Sequence, residues 1–248
     1  MISIITAVYN RASTLEKTIN SVKSQSFFNW ELVVWDDGST DNSLEVALSF
    51  KDPRIRVFSS QNQGYTKSLI TAIAAAHGKY IGICDSDDWL HPNCLKLSSD
   101  ALNSLSDVGM VFTDHYKVDN NDNIIELGKR EHLKYSPMKM LVQNIPFHFR
   151  LWRRSLYDQL GGFNLEYPVA QDYEFNLRAS EITQIHHLPE LLYYYRCHPA
   201  QVSVQKRMLQ IDYSEKAIRE AITRRKLNSV VTLTVDRIKS SFLLEASD

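Results

Sequence analysis

Short apolar runs that alternate with helical patterns fill the first half of the chain and most constrain its fold. Ile2–Val8 has the pattern of a buried strand, and Leu32–Trp35, Ile55–Phe58 and Tyr80–Cys84 repeat it. Helical patterns such as Leu69–Ala76 lie between these runs. Because this alternation is typical of a parallel sheet flanked by helices, we predict an α/β fold with a mostly parallel central sheet.

Local signals predict where several helices begin and end. Ser13 and Glu16 form a capping-box pattern at the first helix, and Gly78 is placed to end a later one as a C′ residue. Asn120–Asn123 is a turn pattern that could join two strands as a hairpin. From about Gln205 the pattern is helical and basic. We therefore predict one domain over residues 1–204 and a helical C-terminal extension over residues 205–248.

Composition excludes several classes of protein. The formal net charge of −1 gives no support to nucleic-acid binding, which favours a strongly basic face. The longest run without Asp, Glu, Lys or Arg, Ser68–Gly78, is too short to cross a bilayer, and we find no secretory signal before Ile2. Three cysteines without a CxxC spacing indicate reduced thiols, rather than disulfide or zinc roles, in a cytoplasmic protein.

The strongest chemical signal is Asp85-Ser86-Asp87, which follows the buried Tyr80–Cys84 run. Ligands of open α/β sheets bind outside the carboxyl ends of the strands, and alternate residues of an extended chain point the same way. Asp85 and Asp87 are therefore candidate ligands of a divalent cation. The alternative is that an acidic residue here caps the helix near Pro92, a role that we assign to Asp88.

Three further signals are weaker when each is taken alone. Asp37, in the Asp36–Asp41 cluster, has the chemistry to bind a ribose or a base, although turn capping explains the cluster equally well. Asp172, in the Gln171–Glu174 segment, is a candidate general base near a helix start, where an acid more often complements the helix dipole. His198 is a candidate metal or diphosphate ligand, and an ordinary surface histidine is at least as common.

The order of these motifs resembles the family 2 glycosyltransferases of the GT-A fold over roughly residues 1–205. The matching segments are Ile4–Asn10, Asp36–Asp41, Asn62–Gly64, Gly78–Ile81, Asp85–Asp88, Arg153–Ser155, Gly161–Phe163, Gln171–Tyr173, and Tyr195-Arg196 with His198. The resemblance implies an inverting, metal-dependent transfer of a sugar from a nucleoside-diphosphate donor to a glycan or lipid-linked acceptor in polysaccharide or glycoconjugate synthesis. Residues 1–114 would bind the donor and residues 115–204 the acceptor.

The resemblance also implies residue roles. Asp172 would be the catalytic base, and Asp87, with Asp85 and His198, would bind Mg²⁺ or Mn²⁺. We expect the nucleotide-sugar contacts to come from Thr6, Ala7, Tyr9, Asp37, Lys67, Asp85 and Ser86. The chain departs from the family pattern at Ile70, where many members carry Asn, and at Gln171, where many carry Glu.

Two other functions are alternatives. A sugar nucleotidyltransferase would also bind a nucleotide and a metal, but it would favour a glycine-rich loop after the first strand, and Tyr9–Thr14 has no glycine. A dinucleotide dehydrogenase is excluded because no GxGxxG follows that strand. A non-catalytic nucleotide-sugar-binding domain would not need Asp37, Asp85, Asp87 and Asp172 together.

The predicted extension carries nine Lys or Arg and four Asp or Glu between Gln201 and Ser240. Its apolar residues follow approximately helical spacing; they are Leu227, Val230, Val231, Val235, Ile238 and Leu243. A basic amphipathic helix of this kind can lie on the anionic inner face of a membrane as a peripheral contact. The alternative, which we favour, is that the stripe packs on the catalytic domain or forms a homodimer.

Overall fold

A computed structural model describes residues 1–129, 135–199 and 201–246 of the chain. The first half alternates strands and helices as predicted: β1 (Ile2–Val8), α1 (Ala12–Lys23), β2 (Trp30–Asp36), α2 (Ser43–Ser49), β3 (Ile55–Ser59), α3 (Tyr65–Ala75) and β4 (Tyr80–Ile83). Residues 130–134 of the predicted acceptor-binding half, and residues 247 and 248 of the extension, lie outside the described residues.

The second half is less regular. Its elements are β5 (Trp89–Leu90), α4 (Cys94–Ser104), β6 (Val108–Val118), β7 (Ile124–Gly128), a 3₁₀ turn at Lys139–Leu141, β8 (Arg150–Arg153), α5 (Arg154–Gln159), α6 (Gln171–Ile182), β9 (Gln184–Arg196), α7 (Val202–Gln205), α8 (Arg207–Arg224), β10 (Val231–Asp236) and β11 (Ser241–Ala246). β6 and β7 are antiparallel, so the turn pattern at Asn120–Asn123 does join a hairpin.

The main sheet has the strand order β3-β2-β1-β4-β8-β6-β9-β5, with β7 paired to β6. β1, β2, β3 and β4 are parallel to one another, as predicted. β6 and β9 are also parallel, whereas β8 is antiparallel to both β4 and β6, so the sheet is mostly parallel with antiparallel strands in its second half. Between β6 and β8 the described chain has no α-helix, which a crossover to a parallel neighbour would usually contain.

Apolar side chains cover both faces of the central strands, which explains why these strands read as continuous apolar runs. Ile5 of β1 belongs to a buried cluster that includes residues of α3, α6 and α8. Ile4, its neighbour in the strand, belongs to a second buried cluster that includes residues of α1 and α4. The two layers of helices fix β1, β2 and β4 so that the carboxyl ends of these strands lie at one edge of the sheet.

Two of the predicted local signals have other roles. The capping box was wrong, because α1 has no side-chain cap of its own. Instead, Asp41 in the loop after β2, 29 residues away, accepts a hydrogen bond from the Ala12 amide at 3.0 Å and so caps the start of α1. Gly78 is not in the left-handed region. Instead, a Cβ there would lie 2.5 Å from the Ser3 amide nitrogen, so the close approach to β1 requires glycine.

The helical C-terminal extension is only partly correct. α8 ends at Arg224, and residues 231–246 form the β10–β11 hairpin instead of an amphipathic helix. Leu233 is buried, and Val231, Val235, Phe242 and Leu244 pack against the core of the domain. The packing alternative therefore holds for this segment. The argument for membrane contact depended on an amphipathic helix that this segment does not form. Membrane contact and a homodimer both stay predictions.

A buried carboxylate, Glu31, ties three strands together below the site. Its Oε1 accepts a hydrogen bond from Ser3 Oγ at 2.6 Å and another from the His77 amide, and its Oε2 lies 3.0 Å from Arg56 Nη1. Burial acts to raise the pKa of Glu31, but the hydrogen bonds from Ser3, His77 and Arg56 outweigh burial and hold the pKa below its usual value of 4.5. The ionised form therefore stabilises the folded state.

We expect Glu31→Gln to lower the free energy of unfolding by about 1–3 kcal/mol at pH 7, because the buried donors lose a charged acceptor. Since the folded-state pKa is lowered, this stabilisation is present above the unfolded pKa and disappears as the pH falls through the folded pKa. Urea unfolding at pH 7 and below pH 4 measures the difference between the two proteins. A difference that grows at low pH would contradict this role.

Candidate active site

The loop after β2 carries the first acidic cluster. Asp37 is buried, and its Oδ1 and Oδ2 accept hydrogen bonds from the amides of Gln63 and Gly64 at 2.8 and 3.0 Å. Asp37 thus fixes the backbone that leads into α3, as the turn-capping alternative suggested, and its contact with a base or ribose stays a prediction. Asp36 is also buried, and its Oδ1 has no hydrogen-bond partner among the described residues.

The loop after β4 is a turn and not an extended segment, because the Asp88 amide donates to the Asp85 carbonyl at 3.1 Å. The argument from alternate residues of an extended chain therefore does not apply. Asp87 and His198 nevertheless meet, with Nε2 of the imidazole 3.1 Å from Oδ2 of the carboxylate. Arg11, which the sequence did not indicate, places its Nε 3.2 Å from the same oxygen.

Asp85 lies among groups from other parts of the chain. Its Oδ1 accepts a hydrogen bond from the Tyr65 hydroxyl, and its Oδ2 lies 3.5 Å from His148 Nε2. Burial, and then the charge of Asp87, raise the pKa of Asp85 to about 6. A cation beside Asp85 would offset both effects, because it favours the ionised carboxylate.

Asp88 does not cap a helix, so that prediction was wrong. Its side chain is buried, and its two oxygens accept hydrogen bonds at 2.8 Å from the Tyr193 hydroxyl and the Arg196 amide of β9. α4 begins at Cys94 without a side-chain cap. Burial, followed by the charges of Asp87 and Asp85, raises the pKa of Asp88 well above its ordinary value. Asp88 thus fixes the acidic loop against β9.

Two sets of side chains have the chemistry to hold a divalent cation. Within the described part of the chain, the ligand atoms of Asp85, Asp88 and His148 lie within 4.8 Å of one another. The predicted set of Asp85, Asp87 and His198 is not as compact, although Asp87 and His198 are in contact. Both oxygens of Asp88 already accept hydrogen bonds, whereas the described contacts of the Asp87 carboxylate involve only Oδ2. Carboxylates with one imidazole fit Mg²⁺ or Mn²⁺.

Asp172 lies in the first turn of α6, which follows Ala170 in the left-handed conformation. Its Oδ2 accepts hydrogen bonds from Arg150 Nη1 at 2.7 Å and from Asn144 Nδ2 at 3.3 Å. Burial is the largest cause that raises the pKa values of Tyr65 and Asp85. The charge of Asp172 raises both pKa values further. The fold therefore brings Asp172 to the same site as Asp85.

The remaining predicted donor contacts differ in exposure. Thr6 is buried, and its hydroxyl donates to the Cys84 carbonyl at 2.9 Å, while Ala7 is buried beside it. Tyr9 is 46% exposed and Lys67 is exposed in the first turn of α3. The Ser86 carbonyl accepts a hydrogen bond from Thr14 Oγ1 at 2.9 Å. Thr6 and Ala7 lie near the carboxyl end of β1, and Tyr9 directly follows the strand. No contact among the described residues links the Lys67 side chain to the acidic loop.

The two departures from the family pattern affect different places. Ile70 is partly buried and packs against the core cluster of α3 and the sheet, so it offers no polar group there. Gln171 is the first residue of α6, directly before Asp172. Asp172 is therefore in place despite the change beside it.

Comparison with known families and proteins identifies the chain's relatives. The family model described as glycosyl transferase family 2 matches residues 3–161. The chain is 29% identical over 226 residues to a chondroitin synthase of Escherichia coli, a match that covers 90% of this chain and 33% of the relative. The chain thus spans about a third of the length of that protein.

Solved structures share the fold. A crystal structure of residues 1–349 of S. aureus TarS has a TM-score of 0.70 at 20% identity and covers 96% of this chain and 68% of that chain. The mannosyltransferase PcManGT from Pyrobaculum calidifontis, in complex with GDP-Man and Mn²⁺, has a TM-score of 0.64 at 15% identity, covering 92% and 75%. The expected GT-A fold is confirmed. Among the described residues, no helix has the length and apolar character to cross a membrane.

Proposed function

This chain belongs to glycosyl transferase family 2, and from that premise we propose that it transfers a sugar from a nucleoside-diphosphate sugar to an acceptor hydroxyl. The observation that carries the proposal is the 3.1 Å contact between His198 and Asp87, which lies in the same loop as Asp85. The pKa of Asp85 is raised by burial and by the charges of Asp87 and Asp172. PcManGT, which shares the fold, was solved with GDP-Man and Mn²⁺. We propose a glycan or lipid-linked acceptor and a role in polysaccharide or glycoconjugate synthesis, as the chondroitin synthase relative suggests.

The donor is proposed to lie across the carboxyl ends of β1, β2 and β4. Backbone at Thr6, Ala7 and Tyr9 would frame the base, and Asp37 would contact the base or the ribose. Lys67 and Ser86 complete the proposed set of nucleotide-sugar contacts. The support for this placement is the general rule that open α/β sheets bind ligands beyond their strand ends.

Asp87, with Asp85 and His198, is proposed to hold a divalent cation. A bound Mg²⁺ or Mn²⁺ would supply positive charge to the leaving diphosphate. These ligands fit such a cation, because the Asp87 carboxylate and the His198 imidazole already lie 3.1 Å apart. Arg11, 3.2 Å from the same carboxylate, adds a fixed positive charge at this place.

The proposed reaction is a single displacement. Asp172 accepts the proton of the acceptor hydroxyl, and the acceptor oxygen forms a bond to the anomeric carbon of the donor. The bond between that carbon and the diphosphate oxygen breaks, and its electron pair leaves with the diphosphate. Because attack and departure occur on opposite faces, the anomeric configuration inverts. Asp172 becomes a neutral carboxylic acid and later returns its proton to water.

Calorimetric titration of the protein with a panel of nucleotide sugars, in Mn²⁺ and in excess chelator, tests the proposal. We expect at least one donor to bind with Mn²⁺ and to bind weakly or not at all without it. An acceptor screen with that donor should then give metal-dependent transfer. A non-catalytic binding domain would bind the donor without turnover. A nucleotidyltransferase would instead join a nucleoside triphosphate to a sugar phosphate, forming a nucleotide sugar and releasing pyrophosphate. Either result would replace the proposed function.

A further inference from the structure

A buried polar network lies behind the proposed base. Arg150 of β8 is only 6% exposed, and its Nη1 donates to Asp172 Oδ2 at 2.7 Å and to the Pro146 carbonyl at 3.4 Å. Asn144 Nδ2 donates to the same Oδ2 at 3.3 Å. Asn176 of α6 is 1% exposed, and its Nδ2 donates to Asn144 Oδ1 at 2.9 Å.

This network treats the two oxygens of Asp172 differently. Every described hydrogen bond and ion pair of the carboxylate involves Oδ2, and none involves Oδ1. A charge-assisted hydrogen bond is about twice as strong as a neutral one, so the Arg150 contact fixes the rotation of the carboxylate. Asn176, one turn along α6 from Asp172, holds the second donor in place through Asn144.

We propose that Arg150 is a positioning residue that binds Asp172 through Oδ2 and leaves Oδ1 to accept the proton of the acceptor hydroxyl. Asn144 and Asn176 support the same orientation. This inference rests on the proposed function, because it specifies how the proposed base is held. A general base must reach the proton it removes at hydrogen-bond distance, so a freely rotating carboxylate would be less effective.

A purely structural ion pair is the competing explanation, because Arg150 also ties β8 to α6. Removing one partner of a buried pair destabilises a protein whatever its function. The two explanations differ in the turnover that they predict for each folded molecule of a variant. A structural role predicts a lower melting temperature with normal turnover per folded molecule, whereas a positioning role predicts a lower kcat with normal donor affinity.

The test compares Arg150→Met, Arg150→Lys and a matched control, Arg153→Met. Arg153 lies on the same strand, and its described hydrogen bonds go to the backbone carbonyls of Leu102, Leu105 and Val108. We expect Arg150→Met to lower kcat about 10²-fold, the cost of misplacing a catalytic group by about 1 Å. Arg150→Lys should recover part of that loss because it keeps a charged donor. Arg153→Met should lower the melting temperature and leave kcat unchanged.

Donor affinity from calorimetry and kcat per folded molecule are measured for each variant. Arg150→Met with the kcat of the wild type, while Asp172→Asn is inactive, would overturn the positioning role and leave the proposed function intact. A fully active Asp172→Asn would instead remove Asp172 as the base, and failure of the wild-type protein to transfer sugar from any donor in the presence of metal would overturn the proposed function. If Arg150→Met does not fold, Asn144→Leu decides: a lowered kcat with normal donor affinity supports the network, and an unchanged kcat overturns it.

Discussion

Replacing Asp172 with asparagine is expected to lower kcat by about 10²–10⁴-fold, because the amide keeps the shape of the side chain but cannot accept the acceptor's proton. Donor affinity should change little, since the described hydrogen bonds of Asp172 are with Arg150 and Asn144 and not with the proposed metal ligands. Initial rates at saturating donor and acceptor give kcat, and calorimetric titration gives the donor affinity.

Asp100→Asn is the matched control for this variant. Asp100 lies exposed on α4, paired with Lys96, so the same chemical change there should leave kcat and donor affinity unchanged. If Asp172→Asn loses donor binding but keeps the chemical step, the roles of Asp172 and the acidic loop have been exchanged.

Asp87→Ala is expected to abolish turnover and the metal-dependent part of donor binding while the fold stays intact. Asp87 lies in a turn, and its described side-chain contacts are with Arg11 and His198. Without the carboxylate, Arg11 and His198 lose this contact, and the divalent cation would lose its main proposed ligand. Titration of the variant with the best donor in Mn²⁺ measures the effect, and circular dichroism confirms the fold.

Asp100→Ala serves as the control for the loss of a carboxylate elsewhere on the surface. Undiminished turnover in Asp87→Ala would remove Asp87 from the metal site. If the wild-type protein kept its activity in excess chelator, the reaction would not depend on a metal ion.

Contacts that are local in sequence were the ones that the sequence predicted well. β1 was predicted with its observed bounds, because an apolar run buried on both faces determines a strand by itself. The contact between Asp87 and His198 spans 111 residues, and only the resemblance to the family, which assigned both residues to one metal site, implied it. The role of Asp88 was wrong, because its partners Tyr193 and Arg196 lie 105 and 108 residues away and nothing near Asp88 indicates them.

The C-terminal hairpin shows a different kind of error. Val231, Leu233 and Val235 alternate with threonines, a period of two that favours a strand, and the helical spacing of the wider stripe obscured it. The β-branched residues in this segment are also typical of strands. Here the local pattern contained the correct answer, and the period was misread.

Several residues of the site were not indicated at all. Arg150, His148 and Tyr65 reach Asp172 or Asp85 only because β8 lies beside β4 in the sheet and α3 begins at the same edge. The sequence neighbours of Arg150 and His148 are aromatic or apolar, which favours core packing. A buried arginine in a strand, however, needs an anionic partner, and that requirement is a signal that a sequence can carry.

The most direct test of the central claim is the anomeric configuration of the first product, followed by NMR as the wild-type protein turns over its best donor with Mn²⁺. A transferase that uses Asp172 as the base in a single displacement predicts a product of inverted configuration, released together with a nucleoside diphosphate. A product that keeps the donor's configuration would contradict the mechanism, and failure to cleave any nucleotide sugar in the presence of metal and acceptor would contradict the function.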